Sequence, residues 1–199
     1  MPKQIRSLLN QIQQLEDQLG EALREKQQQT HYQIKGKRIE FEEAVRQQHK
    51  KVKTSLFRTL FISRPQNILT TPIIYGMAIP MVVFDLLISF YQYSCFPIYG
   101  VARVKRRSYF IYDRDQLRYL NLIQKINCQY CAYGNGLMAY AAEIIARTEQ
   151  YFCPIKHAQK RLGAHPRYLR FSEYGDGEHF ARDQRRLRAE LRKQKQDQA

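Results

Sequence analysis

The stretch IIYGMAIPMVVFDLLISFYQYSCFPIYGVA, residues 73–102, constrains this chain more than any other feature. Its thirty positions contain no Lys, Arg or Glu, and Asp85 is the only charged residue. About 20 predominantly apolar residues suffice to cross the hydrocarbon core of a bilayer. Aromatic residues lie at both ends and RVKRR follows at 103–107, which are usual flanks of a membrane segment. We therefore predict a membrane-embedded segment over residues 73–102.

Basic residues on both sides of this segment leave two topologies open. The first 72 residues hold 13 Lys and Arg against 7 Asp and Glu, and the positive-inside tendency favours keeping such sequence cytoplasmic. A re-entrant hairpin with its bend at Pro80 and Asp85 returns both flanks to that side, since Pro removes a helical hydrogen bond. A single kinked span of about 22–25 residues is the alternative. Asp85 is a functional candidate in either topology, because a charge within a membrane is costly.

The N-terminal region, residues 1–49, combines a heptad pattern with a Gln-rich stretch. Apolar residues recur at alternating spacings of 3 and 4, the a/d rhythm of a coiled coil, at Ile5, Leu8, Ile12, Leu15, Leu19 and Ala22. The pattern predicts a coiled-coil-like helix for self-association or for docking a protein partner. An amphipathic helix lying on its own protein is the alternative. Residues 26–51 are predicted to continue as helix, with a break near Gly36.

The next region, residues 50–72, is predicted to be a basic amphipathic helix. Within KKVKTSLFRTLFISR, residues 50–64, four apolar residues share one helical face and five Lys or Arg residues supply positive charge. Such a helix suits the surface of an anionic membrane. A core-facing helix of a soluble domain is the alternative, and the apolar segment that follows favours the membrane.

The net charge of +15 on 199 residues favours an anionic partner, either acidic lipid or nucleic acid. The basic tail, residues 181–199, is a charged helix former without a wide apolar face, and is predicted to be solvated. It lacks interleaved aromatic residues, which disfavours nucleic acid as the partner. Anionic membrane lipids are therefore the predicted partner.

Residues 103–180 are predicted to form a small Cys-containing helical domain. The apolar spacing predicts one helix over residues 116–127, with Asp113 or Asp115 as its N-cap. It predicts a second helix over residues 137–152, which Cys153-Pro154 ends because the residue before a proline disfavours helix. The sequence GNG between the two helices is a turn signal.

Four residues of this domain have the spacing C-x2-C-x21-C-x3-H, namely Cys128, Cys131, Cys153 and His157. Thiolates and imidazole are the ligands of tetrahedral Cys3His zinc sites, so the four are a candidate zinc site. A helix over residues 137–152 would hold the two pairs about 24 Å apart, so one shared ion requires that helix to break.

Two alternatives to the metal site stay open. Cys128 and Cys131 would form a reactive dithiol at a helix start, where the helix dipole lowers a thiol pKa. Alternatively the cysteines are small packed apolar side chains. The first 20 residues contain no secretory signal, which predicts reduced thiols in a bacterial cytosol.

Three segments, NCQYCAYGNG, ARTEQYFCPIKHA and FDLLISFYQYSCFPIYG, resemble a family of small uncharacterised bacterial membrane-associated proteins. The resemblance covers roughly residues 70–175 and excludes the heptad helix and the tail. It implies membrane association.

Together these features predict a mainly α protein: a coiled-coil-like helix, a basic amphipathic helix, a membrane-embedded segment, a Cys-containing helical domain and a basic C-terminal helix. No nucleophile elbow, P-loop or dinucleotide fingerprint occurs in the sequence. We therefore predict a non-enzymatic, membrane-anchored scaffold or assembly protein of the bacterial inner membrane, whose cytoplasmic domain carries the candidate zinc site. The alternative is a membrane-bound thiol or metal redox protein that uses the cysteine and histidine motif. Membrane-tethered binding of nucleic acid is a third class.

Overall fold

The structure, a computed structural model, is mainly helical, which confirms the predicted fold class. It describes residues 3–29, 32–35, 38–41, 47 and 65–197. Its elements are α1 (Lys3–Gln29), β1 (Tyr32–Lys35), β2 (Arg38–Phe41), α2 (Pro65–Gly76), α3 (Ala78–Tyr99), α4 (Leu122–Phe152) and α5 (Gly177–Gln196). Of the predicted basic amphipathic helix over residues 50–72, residues 50–64 lie outside the described residues, and residues 65–72 belong to α2.

The chain divides into two compact units. Of the described residues, the first unit contains those up to residue 47 together with 113–128, and the second contains 65–112 and 129–197. Helix α4 begins in the first unit and ends in the second.

The first unit contains α1, which confirms a helix over the heptad residues, and a β-hairpin that the sequence analysis missed. Strands β1 and β2 pair antiparallel, with Tyr32 opposite Phe41 and Ile34 opposite Ile39. Helix was wrong for these two strands. Apolar residues alternate with polar ones in YQIK and RIEF, which is the period-2 pattern typical of a β-strand.

The apolar segment forms α2 and α3, which follow one another through Met77. The Met77 N–H donates to the Ile73 carbonyl at 3.3 Å. The boundary falls here because Pro80, in the first turn of α3, has no N–H to offer the Gly76 carbonyl. Helix α3 then runs without a break past Asp85, so the chain makes no hairpin bend between Pro80 and Asp85. The topology of the segment in a membrane stays a prediction.

Helix α3 ends at Gly100, which has a φ of +69°, a conformation that favours glycine. The following Val101 N–H donates to the Phe96 carbonyl at 2.9 Å, as in a Schellman cap. Among the described residues, Ile68–Tyr99 is the one helical stretch long and apolar enough to cross a membrane.

Helix α4 is one continuous helix where the sequence predicted two. Asn121 and Gln124 form a capping box, in which each side chain accepts a hydrogen bond from the other's backbone N–H at 2.9–3.0 Å. The predicted N-caps are therefore wrong, since Asp113 precedes only a short 3-10 turn and makes no side-chain cap. The helix continues through the GNG sequence to Phe152.

Close packing explains the two glycines of GNG better than a turn does. A Cβ on Gly136 would lie 2.9 Å from the Tyr109 carbonyl oxygen and 3.1 Å from the Phe110 ring. A Cβ on Gly134 would lie 3.3 Å from the Met81 sulfur. The glycines let α3 and the chain between α3 and α4 approach the α4 backbone closely.

The charged C-terminal sequence is helical but is not fully solvated. Helix α5 begins at Gly177, four residues before the predicted tail, and Asp176 caps it by accepting from the His179 N–H at 3.1 Å. Leu187 and Leu191 are fully buried. These two leucines, one turn apart, are a stripe too narrow for the sequence analysis to treat as a packing face.

The core of the second unit lies where α3, α4 and α5 meet. Its buried apolar residues are Ile88, Phe96, Val101, Val104, Leu137, Tyr140, Ala141, Ile144 and Leu191. A smaller cluster of Tyr168, Phe171 and Leu187 packs the loop after α4 against α5.

Candidate functional site

The four predicted zinc ligands lie along and just beyond α4. Cys128 and Cys131 are one turn apart within the helix, and Cys131 is exposed. Cys153 is exposed and directly follows the last residue of α4, and its N–H donates to the Glu149 carbonyl at 2.8 Å. His157 is exposed in the loop beyond.

The structure does not bring these residues together around one ion. Cys131 lies within α4 and Cys153 lies one residue past its end, 22 positions further on. The continuous helix between them makes this separation about 33 Å at ~1.5 Å per residue. Zinc ligands lie about 2.0–2.3 Å from the metal, so a single Cys3His site does not fit. Within the described part of the chain, no group of three or more His, Cys, Asp or Glu could hold a metal ion. Zinc as a cofactor of this chain stays a prediction.

The reactive dithiol also loses its geometric basis. Because α4 begins at Leu122, Cys128 and Cys131 lie beyond its first turn, and the helix dipole acts mainly within the first turn. His157 has a structural contact instead of a cysteine partner. Its backbone N–H donates to the Tyr168 hydroxyl at 2.5 Å, and the two rings stack with centroids 6.2 Å apart.

The more informative site is the face of α3 that points into the protein. Asp85, Ile88, Gln92 and Phe96 are buried, and their spacing of 3, 4 and 4 residues places them on one side of the helix. Asp85 is only 8% exposed and Gln92 only 2%. The side chains of Asp85 and Gln92 therefore point into the interior of the protein.

Hydrogen bonds satisfy the Asp85 carboxylate. The Arg106 guanidinium donates to Oδ1, the Tyr133 hydroxyl donates to Oδ2 at 2.9 Å, and the Ser89 hydroxyl lies 3.4 Å from Oδ1. The hydrogen bond with Asp85 raises the pKa of Arg106 above its ordinary value. The one charge of the apolar stretch is therefore paired within the protein.

Gln92 makes a second connection, two turns further along α3. Its amide nitrogen donates to the Tyr140 hydroxyl, and its oxygen accepts from the Val104 N–H at 2.9 Å. Residues 103–107, which we call the basic segment, are thus held alongside α3 by Gln92 and by Asp85. The segment runs back along the helix and does not lead away from its end.

The opposite side of α3 is apolar and exposed. We call it the outward face, and its residues are Ile79, Val82, Val83, Leu86, Leu87 and Phe90. Leu86 is 67% exposed and Phe90 is 71% exposed. Helix α2 adds Leu69 and Ile73, which are also largely exposed. The helix thus has its polar residues inside and its apolar residues outside, the reverse of a helix on a water-soluble protein.

A second polar cluster stabilises the body of the second unit. Glu143 accepts from Arg147 one turn away and from Arg167 beyond the helix, both at 2.8 Å. Burial alone would raise the pKa of Glu143, but the hydrogen bonds from Arg167 and Arg147 outweigh it and lower that pKa. Arg147 also donates to the Ala102 carbonyl at 2.6 Å, which ties α4 to the chain after α3.

Sequence reasoning identifies Asp85 but misses its partners. In the sequence, Arg106 belongs to the basic flank of the membrane segment, and Tyr133 and Tyr140 are only apolar or turn-adjacent positions. These contacts join residues far apart in sequence, so no local sequence pattern predicts them. A Gln at residue 92, seven positions after Asp85, is the one signal of a polar stripe on α3.

Comparisons with protein-family models, curated proteins and solved structures found no match to this chain. Three features of the described residues bear on function: a mainly helical fold, one helical stretch apolar enough to cross a membrane, and the contacts of Asp85 and Gln92.

Proposed function

We propose that this chain is a non-enzymatic scaffold or assembly protein that is anchored to a membrane by α2 and the outward face of α3. The observation that carries the proposal is the inverted polarity of α3, with Asp85 and Gln92 inside and Leu86 and Phe90 outside. Polar residues of membrane segments face the protein interior because hydrocarbon cannot hydrogen-bond them.

The outward face is large enough to bind a bilayer. Transfer of a large apolar side chain from water is worth about 1.5–3 kcal/mol when burial is complete. Six such side chains of the outward face are about half to three-quarters exposed, and α2 adds more. Even partial burial of this set exceeds the few kcal/mol that a stable peripheral attachment requires.

The position of the basic segment favours an orientation in the plane of the membrane. The stretch Ile68–Tyr99 has 32 residues, about 48 Å at ~1.5 Å per residue, and Asp85 lies near its middle. Arg106 is bound to Asp85, so the exposed Lys105 and Arg107 lie beside the same part of the helix.

In a perpendicular span these charges would lie near the bilayer centre, at about 2.5–3.5 kcal/mol each. A helix lying in the interface, with its apolar face about 5–10 Å deep, keeps them at the headgroups. We therefore infer that α3 is an in-plane anchor, with the rest of the second unit on one side of the membrane.

The membrane we propose is the bacterial inner membrane, with the rest of the second unit on its cytoplasmic side. The net charge of +15 supports this choice, because the cytoplasmic leaflet attracts basic segments. The family resemblance of the apolar and cysteine segments supports it as well.

The scaffold role rests on α1. Leu15, Leu19 and Leu23 recur one turn apart and are each about 60% exposed, so α1 presents an apolar stripe. Stripes of this kind bury themselves against another helix in coiled coils. A second copy of the chain, or a partner with a matching helix, is the proposed occupant.

Flotation of the purified full-length protein with vesicles of phosphatidylcholine and phosphatidylglycerol tests the attachment. The double variant Leu86→Glu, Phe90→Glu places two charges on the outward face. The matched control Leu162→Glu, Leu169→Glu places two charges at exposed apolar positions away from α3. We expect at least about a tenfold loss of bound protein for the first variant, since each charge costs kcal/mol amounts in a bilayer, and no comparable loss for the control. Equal flotation of both variants and the wild type would overturn the proposal.

A further inference from the structure

A cavity of about 540 Å³ opens beside the C-terminal half of α3. Cavities of roughly 300–1,000 Å³ are the usual size for small-molecule sites. One wall is formed by Gln92, Tyr93 and Pro97 of α3. The other is formed by the basic segment, and the end of α5 contributes Lys195.

The cavity is strongly cationic. Arg103, Lys105 and Lys195 line it, and no Asp or Glu does. No carboxylate among the described residues pairs with any of these three side chains. Arg106 also lines the cavity, but Asp85 already neutralises it. Three uncompensated positive charges around one cavity favour an anion as its ligand.

The cavity adjoins the surface that we assign to the membrane. Tyr93 and Pro97 line its wall and are also exposed on α3, three and seven positions after Phe90 of the outward face. The Arg103 guanidinium lies over the Tyr93 ring, 5.0 Å from its centroid. Aromatic and basic side chains paired in this way are typical of the headgroup level of a bilayer.

We propose that this cavity binds the phosphate group of an anionic phospholipid, with Arg103, Lys105 and Lys195 as its cationic ligands. The inference rests on the proposed membrane attachment, since the acyl chains would lie along the outward face of α3. Arg presents a planar set of donors that matches phosphate oxygens, and the two Lys side chains add point charges. A water-soluble phosphate ester offers the same phosphate chemistry, and the experiment separates the two sources.

Binding is measured on the full-length protein in neutral detergent, so that it does not depend on attachment to a vesicle. The probes are short-chain phosphatidylglycerol, short-chain phosphatidylcholine and glycerol phosphate, each titrated by calorimetry. The cavity variant is Arg103→Gln, Lys105→Gln, Lys195→Gln. The matched control is Lys160→Gln, Arg182→Gln, Arg185→Gln, which removes three positive charges at exposed positions outside the cavity.

We expect the wild type and the control to bind phosphatidylglycerol alike, and the cavity variant to bind it at least about tenfold more weakly. Phosphatidylcholine, whose headgroup has no net charge, is expected to bind weakly to all three. Equal binding of phosphatidylglycerol by the cavity variant and the wild type overturns the site. Glycerol phosphate binding as tight as that of the lipid overturns the lipid as the source of the phosphate.

Flotation of the same three proteins separates this inference from the proposed attachment. If none of them floats with vesicles, the attachment has failed, whatever the calorimetry shows. If all float but the cavity variant keeps full affinity for phosphatidylglycerol, the cavity has failed and the attachment stands.

Discussion

Arg106 donates a hydrogen bond to the carboxylate of Asp85, although the two residues are 21 positions apart in sequence. The contact fastens the basic segment to the inward face of α3. It also neutralises the one charge of the apolar stretch by an ion pair within the protein. Asp85 appears in the sequence as a costly charge within an apolar stretch. In the fold it forms a tertiary contact between α3 and the basic segment.

Replacement of Asp85 by Ala is expected to destabilise the second unit by about 1–3 kcal/mol, because Arg106 and the Tyr133 hydroxyl lose their shared acceptor. Solvent screens this ion pair, because the Arg106 side chain is 44% exposed, and this limits the loss of stability. Chemical unfolding in detergent measures it, with Arg107→Gln as the exposed control. In a double-mutant cycle with Arg106→Ala we expect a coupling of about 1 kcal/mol or more. Strict additivity would show that the two side chains do not interact.

Gly136→Ala is expected to destabilise the protein by about 1–3 kcal/mol through overpacking, because the new Cβ would lie 2.9 Å from the Tyr109 carbonyl oxygen. Gly76→Ala is the control, since no described residue outside its own stretch of helix has an atom within 4 Å of the position of its Cβ. Thermal unfolding followed by circular dichroism compares the two. A Gly136→Ala protein as stable as the wild type would mean that GNG is not a packing site.

The Glu143 cluster predicts a stability that depends on pH. The folded state lowers the pKa of Glu143, so its contribution is complete above the unfolded pKa of about 4.3 and is lost as pH falls towards the folded pKa. The difference in unfolding free energy between wild type and Glu143→Gln should therefore shrink as pH falls below about 4.3. Denaturant titrations at pH 7, 4 and 3 measure it. A difference that stays constant over this range would contradict the role of the carboxylate.

The exposed stripe of α1 predicts self-association or capture of a matching helix. Leu15→Glu combined with Leu19→Glu should weaken assembly at least about tenfold, since charges at a/d positions remove the apolar seam. Gln14→Glu with Gln18→Glu is the matched control, with the same charge change at exposed positions of the same helix. Light scattering over a range of concentrations gives the mass. A monomeric wild type, at all concentrations and without a partner, would contradict self-association.

The sequence was sufficient where the signal was long and local. The apolar stretch and the heptads each extend over several helical turns, and both are helices in the structure. It failed where a short signal competed with tertiary packing. GNG has the composition of a turn, but its glycines serve the contact between α4 and its neighbours. In β1 and β2, four residues of alternation were hidden by the Gln-rich sequence around them.

The residues of the candidate site were likewise only partly predictable from the sequence. The cysteine and histidine spacing suggested a shared metal, and the continuous α4 separates the two pairs. Asp85 stood out because a charge in an apolar stretch is conspicuous. The side chains that surround it, Arg106 and Tyr133, became neighbours only through the path of the chain after α3. That path is a tertiary property that hydropathy does not encode.

The most direct test of the in-plane anchor is to measure on which side of the membrane the residues before and after the apolar stretch lie. Gln66, near the start of α2, and Arg107, after α3, are both exposed and can each be replaced by a single Cys in a variant without the four native cysteines. Each variant is reconstituted in sealed vesicles and labelled with a membrane-impermeant maleimide before and after permeabilisation. An in-plane α3 predicts that both positions label to the same extent from the same side. Labelling of the two positions from opposite sides would contradict it.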